Sequence, residues 1–120
     1  MTATEQNLSM NEGETKKIVV TQTDDEDSGG DLNISGFNEL TWVLKTRQGG
    51  EVIVEKTESG SSDVTVTDAS VGAYEITIQP TDTEGILNRP EDTFFHKVRL
   101  EDSGGNISDL LQGTVRISEA

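Results

Sequence analysis

An all-β sandwich is what this sequence predicts, on three observations. Apolar and polar residues alternate with period two in one short segment after another. The segments recur every ~8–12 residues, set off by clusters of Gly, Asp, Asn and Ser. The single tryptophan, Trp42, falls in what would be the third strand, where sandwiches of one kind bury an aromatic ring. Together they point to an immunoglobulin-like β-sandwich of seven or eight antiparallel strands.

The elements follow in chain order. Residues 1–12 start polar and aperiodic, and read as a flexible N-terminal arm ahead of a sandwich domain at 13–120. Lys16 to Thr23 places Ile18 and Val20 on one face, and Asp24 to Gly30 is a second flexible stretch. Leu40 to Lys45 sends Leu40, Trp42 and Leu44 inward, with Thr41 and Lys45 outward. Gly49-Gly50 then turns the chain into a strand from Glu51 to Lys56. Val64 and Val66 share a face; Tyr74, Ile76 and Ile78 form the next inner row. Thr81 to Glu84 has capping-box spacing ahead of Ile86 and Leu87, which predicts one helical turn crossing between the sheets. Phe94, His96, Val98 and Leu100 share parity against Lys97, Arg99 and Glu101. After a turn at Gly104-Gly105-Asn106, Leu111, Gly113, Val115 and Ile117 line the last strand. The core markers are Trp42, Tyr74, Val98 and Leu100, with Ile76, Val115 and Ile117 beside them.

Charge narrows the partners. The chain carries 23 Asp and Glu against 9 Lys and Arg, a net charge of −14 over 120 residues. Such a surface repels nucleic-acid phosphates and anionic lipid headgroups, so neither nucleic acid nor a membrane is expected as a partner. It also repels itself, and molar salt, with a Debye length of ~3 Å, removes most of that strain. The composition reads as made for the brine of a salt-accumulating halophile; an ordinary acidic mesophilic domain is the alternative. Hydrophobic residues make up 31%, which predicts a thin, two-layered core. Without cysteine there is neither a disulfide nor a thiolate metal site. Met1 to Gln6 has neither the basic nor the apolar stretch of an export signal, and no apolar run approaches the ~18 residues of a membrane helix.

No enzyme and no cofactor are expected, because the sequence has no Gly-x-Ser-x-Gly, no phosphate loop and no His-rich metal pattern. Asp24-Asp25-Glu26-Asp27 with Asp31 supplies oxygen ligands of the kind calcium takes. It lacks the glycine and the distal Glu of an EF-hand loop, so a solvated, self-repelling loop is the favoured reading. The same reading applies to Asp63 with Asp68 and to Asp82 with Glu84. Among 23 acids some pair meets the ~5–9.5 Å spacing of a glycosidase by chance. His96, the sole histidine, turns inward beside Phe94 and Val98 as a hydrogen-bonded core residue rather than a catalytic base. The five aromatics are mostly core residues, not the exposed platform an oligonucleotide would need. Asn7, Asn33 and Asn106 each open an Asn-x-Ser sequon and are candidate glycosylation sites.

From Gly13 to Ile117 the chain resembles a family. Asp31-Leu32-Asn33-Ile34-Ser35-Gly36-Phe37 and Leu40 to Lys45 look like the opening of small immunoglobulin-like proteins in tailed-virus structural modules. Gly72-Ala73-Tyr74-Glu75-Ile76-Thr77-Ile78 with Asp82-Thr83, then Phe94 to Asp102 and Gly113-Thr114-Val115, are similar to that family's later segments. The family has an aromatic where this chain has His96, and its acid content is lower. The resemblance implies a non-enzymatic virion protein without cofactor, assembled in the host cytoplasm. A capsid-surface decoration, cement or turret component comes first, and a tail or baseplate component second. The implied partners are the major capsid protein or tail proteins, and copies of itself. The acid excess adds a halophilic, archaeal host. A cell-surface adhesion module binding glycan or calcium is the rival class.

Overall fold

Period-two alternation becomes two sheets facing each other across one apolar layer. The computed structural model describes residues 4–24, 30–31 and 33–119. Its strands are β1 (Thr4–Glu5), β2 (Leu8–Asn11), β3 (Lys16–Thr21), β4 (Thr23–Asp24), β5 (Gly30–Asp31), β6 (Glu39–Lys45), β7 (Val52–Thr57), β8 (Val64–Asp68), β9 (Ala73–Ile78), β10 (Glu91–Glu101) and β11 (Ile107–Ser118). A single helical turn, α1 (Pro80–Thr83), leads from β9 to β10 and so from one sheet to the other.

The larger sheet runs β7-β6-β10-β11, with β1 and β2 along the free side of β11; the smaller runs β3-β9-β8. β4 and β5 form a separate two-stranded ribbon. The fold is an all-β immunoglobulin-like sandwich. Seven strands pair antiparallel within the two sheets. The eighth place, the broken strand β1–β2, pairs parallel to β11, so the antiparallel expectation fails on that edge.

Trp42, Tyr74, Ile76, Val98, Val115 and Ile117 are fully buried, and Leu100 nearly so. Trp42 stands opposite Val98, and Ile76 lies between Ile18 and Val64. Simple parity in β11 would turn Asp109 inward together with Leu111. A bulge prevents it: Val98 pairs with Leu111, but Arg99 pairs with Asp109. The extra residue, Leu110, is buried alongside Leu111, and Asp109 turns outward to Lys97 and Arg99.

Two expectations need correcting. The described part of the expected arm, residues 4–11, belongs to the larger sheet, with Met10 buried and Leu8 packed on the core. Its polar side chains hid the fact that strand pairing is made by backbone, which needs no apolar face. The helical turn also starts earlier than the Thr81–Glu84 spacing suggested. Pro80 takes the first helical position, where its missing N–H costs nothing. Gln79 is therefore the cap residue, and its N–H donates to the Asp82 carboxylate at 2.7 Å. The expected flexible stretch at Asp24 to Gly30 lies mostly outside the described residues.

Candidate functional site

Two parts of the larger sheet carry structure beyond simple packing: the grip on the N-terminal strand, and the sheet's outer face. The grip begins with register. Thr4 lies opposite Leu111 and Leu8 opposite Val115, so β1 and β2 are one strand in one register, interrupted at Gln6–Asn7. At the interruption the Gln6 backbone dips into the sheet over Gly113. A Cβ at position 113 would overlap the Gln6 carbonyl, so only glycine allows the approach.

His96 is the reason for the dip. Fully buried on β10, it lies beside Gly113 in the ladder. Its Nε2 is 2.7 Å from the Gln6 carbonyl oxygen, and the Trp42 Nε1–H donates to its Nδ1 at 3.2 Å. An Nδ1 that accepts leaves the proton on Nε2, which then donates to Gln6; the two partners select one neutral tautomer. Burial lowers the His96 pKa, and the Gln6 carbonyl opposes that only in part. The Gln6 N–H donates to the Gln112 carbonyl at 2.9 Å. Asn7 completes the grip: its Oδ1 accepts from the Thr114 N–H at 2.9 Å and from the Thr114 hydroxyl at 3.2 Å.

A second polar cluster closes the opposite edge of the core. Lys56 on β7 stands across from Trp42 and is nearly buried. Its Nζ lies 2.7 Å from Asp63 and 2.6 Å from Asp82, and donates to the Thr77 carbonyl at 3.3 Å. Gln79 donates to the other Asp63 oxygen at 2.8 Å. Burial alone would lower the Lys56 pKa, but the two carboxylates outweigh it and the pKa is raised; Lys56 and Gln79 hold that of Asp63 low. Asp63 and Asp82 are thus brought together by an ammonium between them, which makes a staple from β7 to α1.

The expected acid pairings give way to this one. Asp68 instead caps the 3₁₀ turn at Ala69–Val71, accepting from the Ser70 N–H and hydroxyl. Glu84 stands at the C-terminal end of α1, near Gly13. Of the acidic run Asp24 to Asp27, residues 25–27 lie outside the described residues. Among the described residues no group of three His, Cys, Asp or Glu side chains is placed to hold a metal ion. The sequons are apart. Asn7 belongs to the grip, Asn33 accepts from the Ser35 N–H in a local turn, and Asn106 donates to Asp102 in the β10–β11 turn; all three are exposed. Tyr74 is deep in the core, its hydroxyl donating to Gln22, whose amide donates to the Leu110 carbonyl.

Sequence reasoning missed the outer face of the larger sheet. Down β10 it presents Phe95, Lys97 and Arg99, flanked on β6 by Lys45, Val43 and Thr41. Two hollows open there: a cleft of about 570 Å³ reaching from Phe95 to Asn7 and Arg47, and one of about 310 Å³ floored by Val43 and Val52 between Lys45, Glu55, Lys97 and Arg99. The strand parity already placed Lys97 and Arg99 outward; what it lacked was the neighbouring strand that brings Lys45 beside them.

No protein-family model and no curated protein matches the chain. Among solved structures it is similar to AggA, the major subunit of aggregative adherence fimbriae type I from Escherichia coli. The identity is 14% over 95% of this chain and 89% of that one, with a TM-score of 0.30. A likeness at that level bears on neither role nor partner.

Proposed function

We propose that the chain is a non-enzymatic structural protein of a tailed virus with a halophilic, archaeal host, set on the capsid surface as a decoration, cement or turret component. A tail or baseplate position is the nearest variant. One observation carries the reading: the residues that resemble the viral family have specific duties in the sandwich. Gly113 admits the Gln6 backbone. Asp102 accepts from the Gly104 and Asn106 N–H groups and shapes the β10–β11 turn. Tyr74, Ile76 and Ile78 fill the core from β9. A module built this way presents sheet faces and loops, which suits repeated attachment to a lattice.

The partners in this reading are a major capsid or tail protein and further copies of the chain. Mass spectrometry of purified particles, with pull-down from disrupted ones, tests it; absence from particles in which the other structural proteins are found would rule it out. The brine-living host is tested separately. Unit charges ~8 Å apart repel by ~0.5 kcal/mol in water before screening, and many such pairs exist at a net charge of −14. The melting temperature is therefore expected to climb steeply from low to molar salt. A flat profile would remove the halophilic host and leave the virion role standing.

The adhesion module is the second reading, favoured by the cleft beside Phe95, where Asn7, Gln48, Gln112 and Thr114 offer polar groups around an aromatic ring. A glycan array probed with the recombinant chain distinguishes it.

A further inference from the structure

The cleft beside Phe95 opens where the N-terminal strand leaves the ladder. Glu5, Asn7 and the bare backbone of Gly113 line it on that side, and Arg47 and Gln48 from the β6–β7 hairpin line the other. Phe95 stands between them on the outer face, half-buried, opposite Lys45 on β6 and Thr114 on β11. Around this ring the polar side chains are largely unspent. Gln112 lies opposite Glu5, and its side-chain amide makes no hydrogen bond among the described residues; the same holds for the Gln48 amide and the Arg47 guanidinium. Asn7, already fixed on Thr114, donates to one Glu5 oxygen at 3.2 Å and so orients that carboxylate, whose second oxygen stays open among the described residues. Unpaired polar groups converging on a concave apolar spot are the pattern of a small-molecule site, and about 570 Å³ lies in the range such sites occupy.

We infer that this cleft holds one neutral pyranose unit, stacked on Phe95 with its hydroxyls bonded to the polar rim. The inference rests on the second reading, of the chain as a glycan-binding module, and names the class of sugar and the groups that take it. Elimination selects the class. A wholly apolar ligand would strip water from the Gln48 and Gln112 amides and give them no partner in return. An anion would meet Arg47 but also Glu5, in the field of a chain at −14, and a cation would meet Glu5 but also Arg47. A neutral sugar escapes all three objections. The C–H bonds on one face of its ring pack against the negative face of an aromatic ring. Its neighbouring hydroxyls both donate and accept, so they match the open Glu5 oxygen as acceptor, Arg47 as donor, and the two carboxamides as both.

The test is a titration of the isotope-labelled full-length chain with single sugars, at a salt concentration where it is folded, read from backbone amide chemical shifts. The probes are the methyl glycosides of glucose, galactose and mannose, with methyl glucuronide as the acidic comparison and cyclohexanol as the apolar one. At least one neutral glycoside is expected to bind saturably in the millimolar range and to shift the amides of Phe95, Gln112 and Thr114, with both comparison probes weaker. Phe95→Ala should weaken that binding roughly tenfold, and Gln48→Ala/Gln112→Ala should weaken it severalfold. The second variant removes side chains that hydrogen-bond to no described residue, so it serves if Phe95→Ala does not fold. The inference is overturned if no neutral glycoside gives a saturable shift or if the shifts lie away from the cleft. Tighter binding of the glucuronide or of cyclohexanol overturns it too, as does binding that Gln48→Ala/Gln112→Ala leaves unchanged. A glycan array separates this site from the reading it rests on. Glycans bound on the array while the cleft amides stay still with every single sugar would keep the adhesion module and refute the site; cleft shifts with a blank array would do the reverse.

Discussion

His96 and Lys56 lie on either side of the strand that carries Trp42, both polar, both drawn into the larger sheet's inner layer, and they are accommodated in opposite ways. His96 is kept neutral, with one nitrogen accepting from Trp42 and the other donating to Gln6. Lys56 is kept charged, with two carboxylates and a carbonyl around it. The depth of water decides. Asp63 and Asp82 keep 20% and 14% of their side-chain exposure, so a charged trio there stays partly hydrated, whereas His96 has none. Polar groups enter this thin core as neutral pairs at its centre and as ion pairs at its edge.

Removing the shared neighbour should have the largest effect. Trp42→Ala empties the core beside both sites and deprives His96 of its donor, at an expected cost of ~3–5 kcal/mol, read from denaturant unfolding. A loss below ~1 kcal/mol would mean that Trp42 does not join the two sites and would break the comparison. Next comes Lys56→Met, which leaves Asp63 and Asp82 facing each other. Because both retain some water, about 2 kcal/mol is expected rather than the ~3–5 kcal/mol of a fully buried pair. Adding Asp82→Asn should restore part of it; if the double variant is worse than the single, the staple reading is wrong.

Acidity separates the sites more gently. The folded-state pKa of His96 lies below its ordinary value, so the unfolded chain takes up the proton first. Its stabilising contribution is complete above the ordinary histidine pKa of about 6.5 and is lost as pH falls toward the lowered value. Protonation would set a second N–H against that of Trp42. Asp63 is also lowered, so its contribution is lost only further down, below the ordinary carboxylate range, while that of raised Lys56 is lost only as pH climbs past its ordinary value. Melts of wild type and His96→Phe from neutral to mildly acidic pH should therefore converge as the wild type alone loses stability. Parallel curves would mean that His96 takes up its proton equally readily in the folded and unfolded chain. The smallest expected effect is no change at all: the stability difference of His96→Phe at neutral pH should be equal at low and molar salt, since it exchanges one neutral ring for another and screening acts on the exposed acids. A salt-dependent difference would mean that His96 is charged in the fold.

Much of the sandwich was legible because alternation has a strict period. The inward residues of β3, β6, β9 and β10 all stand where parity put them, His96 included. Legibility failed where one residue breaks the count or where backbone alone does the pairing. The Leu110 bulge reverses Asp109, and no residue type announces it. The N-terminal strand binds through carbonyls and N–H groups, so polar side chains looked like an arm. The Lys56 staple was half readable, since parity opposite Trp42 turns Lys56 inward; its two acids come from separate connections that only the topology unites. The hollow between Lys45, Glu55, Lys97 and Arg99 needed strand order as well as strand parity.

The parallel edge also fixes how the domain answers to a pull. β2 enters at the level of Val115 and β11 leaves at Ser118, running the same way side by side. Tension applied before Thr4 and after Ser118 would drag the two strands past each other lengthwise. The backbone bonds of that edge, and the Gln6 and Asn7 attachments with them, would be loaded together and not one after another as in a peeled hairpin. A clamp loaded in shear on that edge would let the sandwich bear tension between Thr4 and Ser118 while its core stays closed.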